Sequence, residues 1–205
     1  MSAAPPIDLT VNVQGFFRDV VAGSLRSRGC EVTDAAETYL VALLADFARP
    51  GQLDARALDR PVTLQLDEAL RAAGYERFDR LRAVGDGVLY VTGFFGEHLE
   101  MRGVELGYVS GLGARAYESA AEMLRGAAGS GATGAPDLFA ELAENFEALV
   151  ALVADVADSL LARSATTDRS MVRLYERWLK HGSSSLAGLL AERGVLPRRG
   201  DRTLH

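Results

Sequence analysis

The chain has 205 residues, of which 48% are hydrophobic and 24% are charged, and this balance excludes a disordered or fibrous protein. The single cysteine, Cys30, excludes an intramolecular disulfide, and the opening MSAAPPIDLT has neither the basic nor the apolar part of a secretory signal. The longest weakly charged apolar stretch, 84–95, is far short of the roughly 18 apolar residues that a membrane span needs. We therefore expect a cytoplasmic protein without a membrane-spanning helix.

Charge is distributed unevenly along the chain. Residues 1–168 hold 25 acidic and 14 basic side chains, whereas residues 169–205 hold 3 acidic and 8 basic side chains. The formal net charge of −6 argues against a protein that coats nucleic acid with its whole surface, so a nucleic-acid partner is not expected. The C-terminal part is the one basic region of the sequence.

Apolar residues recur with helical spacing along almost the whole chain, so strands are the exception. Only residues 9–13 read as extended. Helices are predicted over about 14–28, then from Thr33 or Asp34 to a stop at Pro50, and over about 62–73 and 75–102. Asp34 and Glu37 have the spacing of a capping box at the start of the second helix.

The second half of the chain continues the helical pattern. Helices are predicted over about 104–125, over 137–163 with Asp137 as the cap, and over 168–180 and 183–193, with a break at Gly182. Residues 126–136, GAAGSGATGAP, have the composition of a flexible loop. We predict a single all-α domain over 1–205, a bundle of about eight helices that ends in a basic helical pair at 168–194.

Glycines lie inside two consecutive predicted helices, although each costs about 1 kcal/mol relative to alanine in a helix interior. The candidate stripe of small residues comprises Gly93, Gly96, Gly103, Gly107 and Gly111. One interpretation is a closely packed Gly-rich central hairpin, with Gly93 or Gly96 opposite Gly107 or Gly111, so that Gly107→Leu would cost several kcal/mol through overpacking. The alternative is a cleft that admits a flat ligand, such as a haem, between the two helices.

His98 projects on an apolar face of its helix, and Glu105 projects inward near the same turn. The two residues are a candidate buried polar pair, and a hydrogen-bonded core histidine is the simplest interpretation of His98. The Glu-x-x-His spacing of a di-metal carboxylate bundle does not occur, and one histidine is weak evidence for an axial haem ligand. We therefore predict no metal and no cofactor.

No nucleophile or phosphate-binding signature is present. The sequence lacks a G-x-S-x-G motif, a P-loop and a G-x-G-x-x-G after a strand, and Glu31 beside Cys30 disfavours a thiolate. We therefore assign no catalytic residue.

The predicted helix after the loop has two faces. Its apolar face is expected to lie in the core, and an acidic face lies opposite, formed by Glu141, Glu144, Glu147, Asp155 and Asp158. The next helix carries a basic stripe on the side away from Leu174 and Trp178, formed by Arg169, Arg173, Arg177 and Lys180. This stripe is the best candidate for a partner-binding surface. It is either a solvated face, a face paired with the acidic helix of the same or a second chain, or a site for an external acidic or nucleic-acid partner.

Three segments, LRAVGDGVLYVTGFF, GYVSGLGARAY and RLYERWLKHGS, resemble in that order the pattern of an uncharacterised bacterial family of helical proteins. The resemblance covers the chain from about Leu81 to the C-terminus. It implies a soluble bacterial all-α protein, and it carries over no catalytic residue and no cofactor.

These features lead to two hypotheses for the function. The first is a non-catalytic protein–protein interaction or regulatory module, with a protein partner or a second copy of the chain bound at the surface. The alternative is a helical protein that binds a small molecule or cofactor in a cleft and could be an enzyme. Native mass spectrometry separates the two, because it detects a bound ligand and a bound subunit together.

Overall fold

A computed structural model describes residues 9–49, 60–128, 137–164, 167–182 and 184–196. Every secondary-structure element in these ranges is an α-helix, which confirms the all-α class. The nine helices of the described ranges are α1 (Leu9–Arg28), α2 (Asp34–Phe47), α3 (Val62–Arg71), α4 (Gly74–Met101), α5 (Leu106–Ala128), α6 (Leu138–Glu144), α7 (Phe146–Ser164), α8 (Asp168–His181) and α9 (Ser184–Glu192). No helix in the described part is both long and apolar enough to cross a membrane.

The extended segment predicted at 9–13 is wrong, because α1 begins at Leu9. Val13 packs on the core from the same side of the helix as Phe17 and Val20. Burial of this helical face outweighs the preference of two valines for an extended backbone, since β-propensity depends strongly on context.

The N-cap of α2 is one of the two residues predicted to start this helix, but the predicted capping box does not form. Thr33 is the N-cap, and its side-chain oxygen accepts a hydrogen bond from the backbone N–H of Ala36. The carboxylate that accepts from the Thr33 backbone N–H, at 2.6 Å, belongs to Glu141 of α6 and not to Glu37. A distant helix therefore supplies the acidic half of the predicted capping box.

The helix predicted over 137–163 is divided into two. Asp137 caps α6 as expected, since its side chain accepts from the backbone N–H of Ala140. At Asn145 the backbone leaves the helical conformation, and the Asn145 side-chain amide donates to the carbonyl of Glu141. The backbone N–H of Asn145 donates to the same carbonyl, so one asparagine makes both hydrogen bonds where α6 ends, without any Gly or Pro.

The core is formed around the central hairpin of α4 and α5, against which α3, α6 and α7 pack. The C-terminal helices α8 and α9 bury a smaller cluster of their own, with Leu174 and Trp178 against Leu186 and Leu190, and this cluster reaches Ala162 of α7. The predicted break at Gly182 is confirmed: its φ is 63°, the left-handed conformation that glycine adopts at a helix C-terminus.

Close packing in the hairpin depends on different glycines from those predicted. A Cβ atom at Gly113 would lie 2.7 Å from Cγ1 of Val88, and one at Gly85 would clash with the ring of Tyr117. The expected pairing of Gly93 or Gly96 with Gly107 or Gly111 is wrong, because Gly93 faces Val153 of α7. Helical spacing shows which residues share a face but not which neighbour covers it, and α4 is covered by both α5 and α7.

Gly103, Gly107 and Gly111 are exposed, and a Cβ atom at any of them would have no neighbour within 4 Å. Gly103 has a φ of 79° in the turn between α4 and α5, so its role there is conformational. The open space at Gly107 reverses the expectation for Gly107→Leu, which now has no steric reason to be destabilising.

Candidate functional site

A cleft of about 610 Å³ lies between α4 and α7 and extends to the ends of α1 and α8. Its floor is made of small side chains, with Gly93 and Gly96 on α4 and Ala151 and Ala154 on α7. Gly93 also allows the two helices to meet, because a Cβ atom there would lie 2.6 Å from Cβ of Val153 and 3.2 Å from the carbonyl oxygen of Val150. Two of the five stripe glycines, Gly93 and Gly96, therefore line the floor of the cleft, and the other three do not line the cleft.

One wall of the cleft carries a two-point ion pair between α1 and α7. Nε of Arg28 lies 2.5 Å from Oδ2 of Asp155, and Nη2 lies 2.9 Å from Oδ1. The Asp155 side chain is only 3% exposed, whereas that of Arg28 is 36% exposed. The hydrogen bond to Asp155 raises the pKa of Arg28, although partial burial of the guanidinium acts in the opposite direction. This geometry is the bidentate arrangement that holds arginine and carboxylate most firmly.

A second ion pair in the lining of the cleft is formed by Arg177 of α8, close to the first because Asp155 and Asp158 lie three residues apart on α7. Nε of Arg177 lies 2.5 Å from Oδ1 of Asp158 on α7, and its Nη1 lies 3.2 Å from Oε2 of Glu97 on α4. One guanidinium therefore joins three helices across the end of the cleft. This placement matches the alternative in which the basic stripe pairs with the acidic helix of the same chain, for this one residue.

The described lining of the cleft has more acidic than basic side chains. Four carboxylates line the cleft, those of Glu97, Glu100, Asp155 and Asp158, against the two guanidiniums of Arg28 and Arg177. Glu100 is exposed at the rim and forms no ion pair with a described residue. Arg28 and Arg177 are both engaged by carboxylates, and Glu97, Asp155 and Asp158 are partnered as well.

Burial of Asp155 and Asp158 was not foreseen, because both were placed on the exposed acidic face of their helix. The partner of Asp155 lies 127 residues earlier in the chain, and no local spacing connects the two. Of the same set, Glu144 and Glu147 are exposed as expected. The one local indication of burial was that Asp155 and Asp158, three residues apart, border the apolar face of their helix, which ends at Leu160.

The rest of the basic stripe is divided by the fold. Arg169 and Arg173 are exposed, whereas Arg177 is half-buried in its ion pairs. The side chain of Lys180 lies outside the described residues. The stripe therefore does not form one continuous surface, and only its first two arginines remain as a candidate surface for a partner.

The expected buried pair of His98 and Glu105 is wrong, because both residues are exposed. The helix α4 is kinked at Phe95, whose φ of −122° and ψ of 16° are not helical. A kink changes the direction of every later side chain, so the projection that placed His98 on the apolar face fails after residue 95. Leu99 takes the buried position in the last turn.

A second polar cluster lies at the other end of the hairpin. Oδ1 of Asp86 accepts hydrogen bonds from the hydroxyls of Tyr39, at 2.6 Å, and Tyr117, at 2.7 Å, and Oδ2 lies 3.3 Å from Nη1 of Arg82. Burial raises the pKa of Asp86, and the two tyrosine hydroxyls and Arg82 only partly offset this effect. Burial and the nearby Asp86 raise the pKa of Tyr117 as well. The adjoining cleft is small, about 170 Å³, so this cluster is a buried network that ties α2 to the hairpin.

Among the residues that the structure describes, no group of three or more His, Cys, Asp or Glu side chains is arranged to hold a metal ion. The chain matches no family model, no curated protein and no solved structure.

Proposed function

We propose that the protein binds a small organic molecule in the cleft between α4 and α7. The observation that carries this proposal is a cleft of about 610 Å³ whose floor is made of glycine and alanine and whose walls hold fixed charges. Binding sites for small molecules are concave, and in helical bundles they occur between helices. A few polar groups in the lining of such a site orient the ligand. The volume of the cleft between α4 and α7 lies within the usual range of these sites.

The walls favour a ligand with a positive charge. An anion would have to compete with Asp155, Asp158 and Glu97 for the two arginines, whereas a cation meets described lining residues among which carboxylates outnumber guanidiniums. Breaking a buried ion pair by removing one partner is costly, so the arrangement disfavours anions. An amine or guanidinium on a short aliphatic chain satisfies both the charge of the walls and the small floor.

Native mass spectrometry of freshly purified protein tests this function. A tryptophan at Ala151 fills part of the cleft floor, and a tryptophan at the exposed Ala83 of α4 is the matched control. We expect a ligand mass on the wild-type chain and on Ala83→Trp, and its loss from Ala151→Trp with an unchanged melting temperature. A wild-type chain that carries no ligand and whose melting temperature responds to no added cation, neutral compound or anion would refute the function.

A role as a protein-interaction module is the second candidate function, supported by the outer side of α8. Val172 and Leu179 are 56% and 43% exposed there, with the exposed Glu176 between them along the helix and Arg169 and Arg173 on one side. Exposed apolar side chains bordered by arginine have the composition of an interface. Reversing the charge of both arginines should abolish such an interaction and leave the fold intact.

A further inference from the structure

One of the two guanidiniums in the cleft comes from a separate part of the fold. Arg177 belongs to α8, which together with α9 buries a small apolar cluster. From there its side chain reaches Asp158 on α7 and Glu97 on α4, and both carboxylates line the cleft. Gly182, at the C-terminus of α8, lines the cleft as well. The end of α8 therefore borders the cleft and places a cation on two of its carboxylates.

The contacts of Arg177 differ in quality from those of Arg28. Arg28 donates one hydrogen bond to each carboxylate oxygen of Asp155. Nε of Arg177 lies 2.5 Å from Oδ1 of Asp158, but it forms no hydrogen bond to a described residue. The hydrogen bond from Nη1 of Arg177 to Glu97 is 3.2 Å long, whereas bonds between charged groups are usually about 2.7–2.9 Å. A buried charged donor without a hydrogen bond is unfavourable, so Arg177 is the less firmly held of the two arginines.

A cation that binds in the cleft meets the same carboxylates as Arg177. A guanidinium on a short chain is not tied to a helix, so it can turn until two of its N–H groups point at the oxygens of Asp158. This is the arrangement that Arg28 makes with Asp155. The ligand then supplies Asp158 with the countercharge that it loses with Arg177, and the displaced side chain returns to water. The exchange therefore replaces the ion pair that it breaks.

We propose that Arg177 is an internal competitor for the ligand of the cleft, and that a guanidinium compound displaces it from Asp158 and Glu97 and loosens α8. The proposal rests on the cation-binding function proposed above, and it adds the class of cation and the way in which α8 regulates binding. The coupling acts in both directions, because the ligand weakens the contact of α8 by the same factor by which that contact weakens ligand binding.

Hydrogen exchange of the wild-type chain with and without agmatine tests the displacement. Agmatine carries a guanidinium at one end of a short aliphatic chain and an amine at the other. We expect agmatine to make the amides of α8 exchange several-fold faster, as is expected for Arg177→Ala, and to leave the α4–α5 hairpin protected. A ligand that binds beside an undisturbed Arg177 would instead slow the exchange of α8 or leave it unchanged. The direction of the change therefore identifies competition without any variant.

Calorimetric titration with agmatine measures the strength of the competition. If the contact of Arg177 is favoured by about tenfold over its displaced state, it reduces the apparent affinity of the wild type by about the same factor. Arg177→Ala should therefore bind agmatine about tenfold more tightly, and agmatine should no longer change the exchange of α8. Arg173→Ala, which removes an exposed arginine of the same helix, is the control for net charge and should bind like the wild type.

Agmatine that binds the wild type without faster exchange of α8 would overturn the competition and leave the cation-binding function intact. Equal affinities of Arg177→Ala and Arg173→Ala for agmatine would do the same. Binding of cadaverine but not of agmatine would overturn guanidinium compounds as the ligand class. Binding of neither compound, to the wild type or to Arg177→Ala, would refute the cation-binding function and the competition together.

Discussion

Gly93 and Gly111 show two different situations of glycine in a helix. A Cβ atom at Gly93 would lie 2.6 Å from Cβ of Val153, whereas one at Gly111 would have no neighbour within 4 Å. We expect Gly93→Ala to lower the free energy of unfolding by about 1–3 kcal/mol, because overpacking outweighs the smaller gain that alanine brings through its higher helix propensity. Gly111→Ala, the matched control, should raise it by up to about 1 kcal/mol. Urea unfolding measures both, and equal effects of the two changes would refute the packing of α4 on α7.

Asp86 gives the protein a pH dependence with a definite sign. Its pKa in the folded state is raised above the ordinary value of 3.8, mainly by burial, so the folded state binds its proton more tightly than the unfolded state does. The contribution of Asp86 to stability is therefore fully present below pH 3.8 and is lost as the pH rises through the raised pKa.

Asp86→Asn removes this titration and keeps an oxygen that accepts from Tyr39 and Tyr117. We expect the melting temperature of the variant, relative to wild type, to increase as the pH is raised from about 4 to 7, because only the wild type must bury a charge. Melting curves at several pH values measure this difference. A difference that decreases with pH would show that the ionised carboxylate is the favoured form in the fold.

At the scale of elements, Arg177 and Arg173 belong to one helix but have different roles. Arg177 joins α8 to Asp158 and Glu97, with a side chain that is 20% exposed, whereas Arg173 is exposed. We expect Arg177→Ala to cost about 2 kcal/mol, between the roughly 0–1 kcal/mol of an exposed pair and the roughly 3–5 kcal/mol of breaking a buried one. Arg173→Ala should change stability by less than about 0.5 kcal/mol.

Hydrogen exchange shows which helices lose stability in the Arg177→Ala variant. The amides of α8 and α9 should exchange faster in Arg177→Ala, because these helices bury only a small apolar cluster of their own, to which α7 contributes Ala162. The amides of the α4–α5 hairpin should keep their protection. Uniform loss of protection across the chain would show that α8 and α9 are integral to the main core.

The sequence predicts the elements of this fold better than it predicts their contacts. Caps at Asp137 and Gly182 are local events, since each residue satisfies the helix end beside it, and both were predicted correctly. The break at Asn145 was missed because the apolar spacing continues across it. The kink at Phe95 was missed although Gly93 and Gly96 lie beside it, because both glycines were assigned to packing or to a cleft, and the residues placed beyond it by helical projection were then misdirected.

At the scale of the whole molecule, the cleft was predictable only in part. Glycines on α4 indicated either a close approach of two helices or a ligand cleft. Gly93 packs closely against α7 and also lines the cleft. The pair of Arg28 and Asp155 was not predictable, because α1 and α7 are far apart in sequence, whereas pairing of Arg177 with the acidic helix was one of the alternatives given by the sequence. Burial of an aspartate requires a partner, and a partner on a distant helix leaves no periodic signal in the sequence.

The most direct test of the ligand-binding cleft is a calorimetric titration of the wild-type chain with three compounds of equal length, namely cadaverine, pentanediol and glutarate, which are a dication, a neutral compound and a dianion. We predict binding of cadaverine alone, weaker binding to Glu100→Gln, and no binding to Ala151→Trp, because the carboxylates supply the attraction and the floor supplies the space. Equal binding of pentanediol or glutarate, unchanged binding to Ala151→Trp, or no binding of cadaverine to the wild-type chain would contradict a cation-binding cleft between α4 and α7.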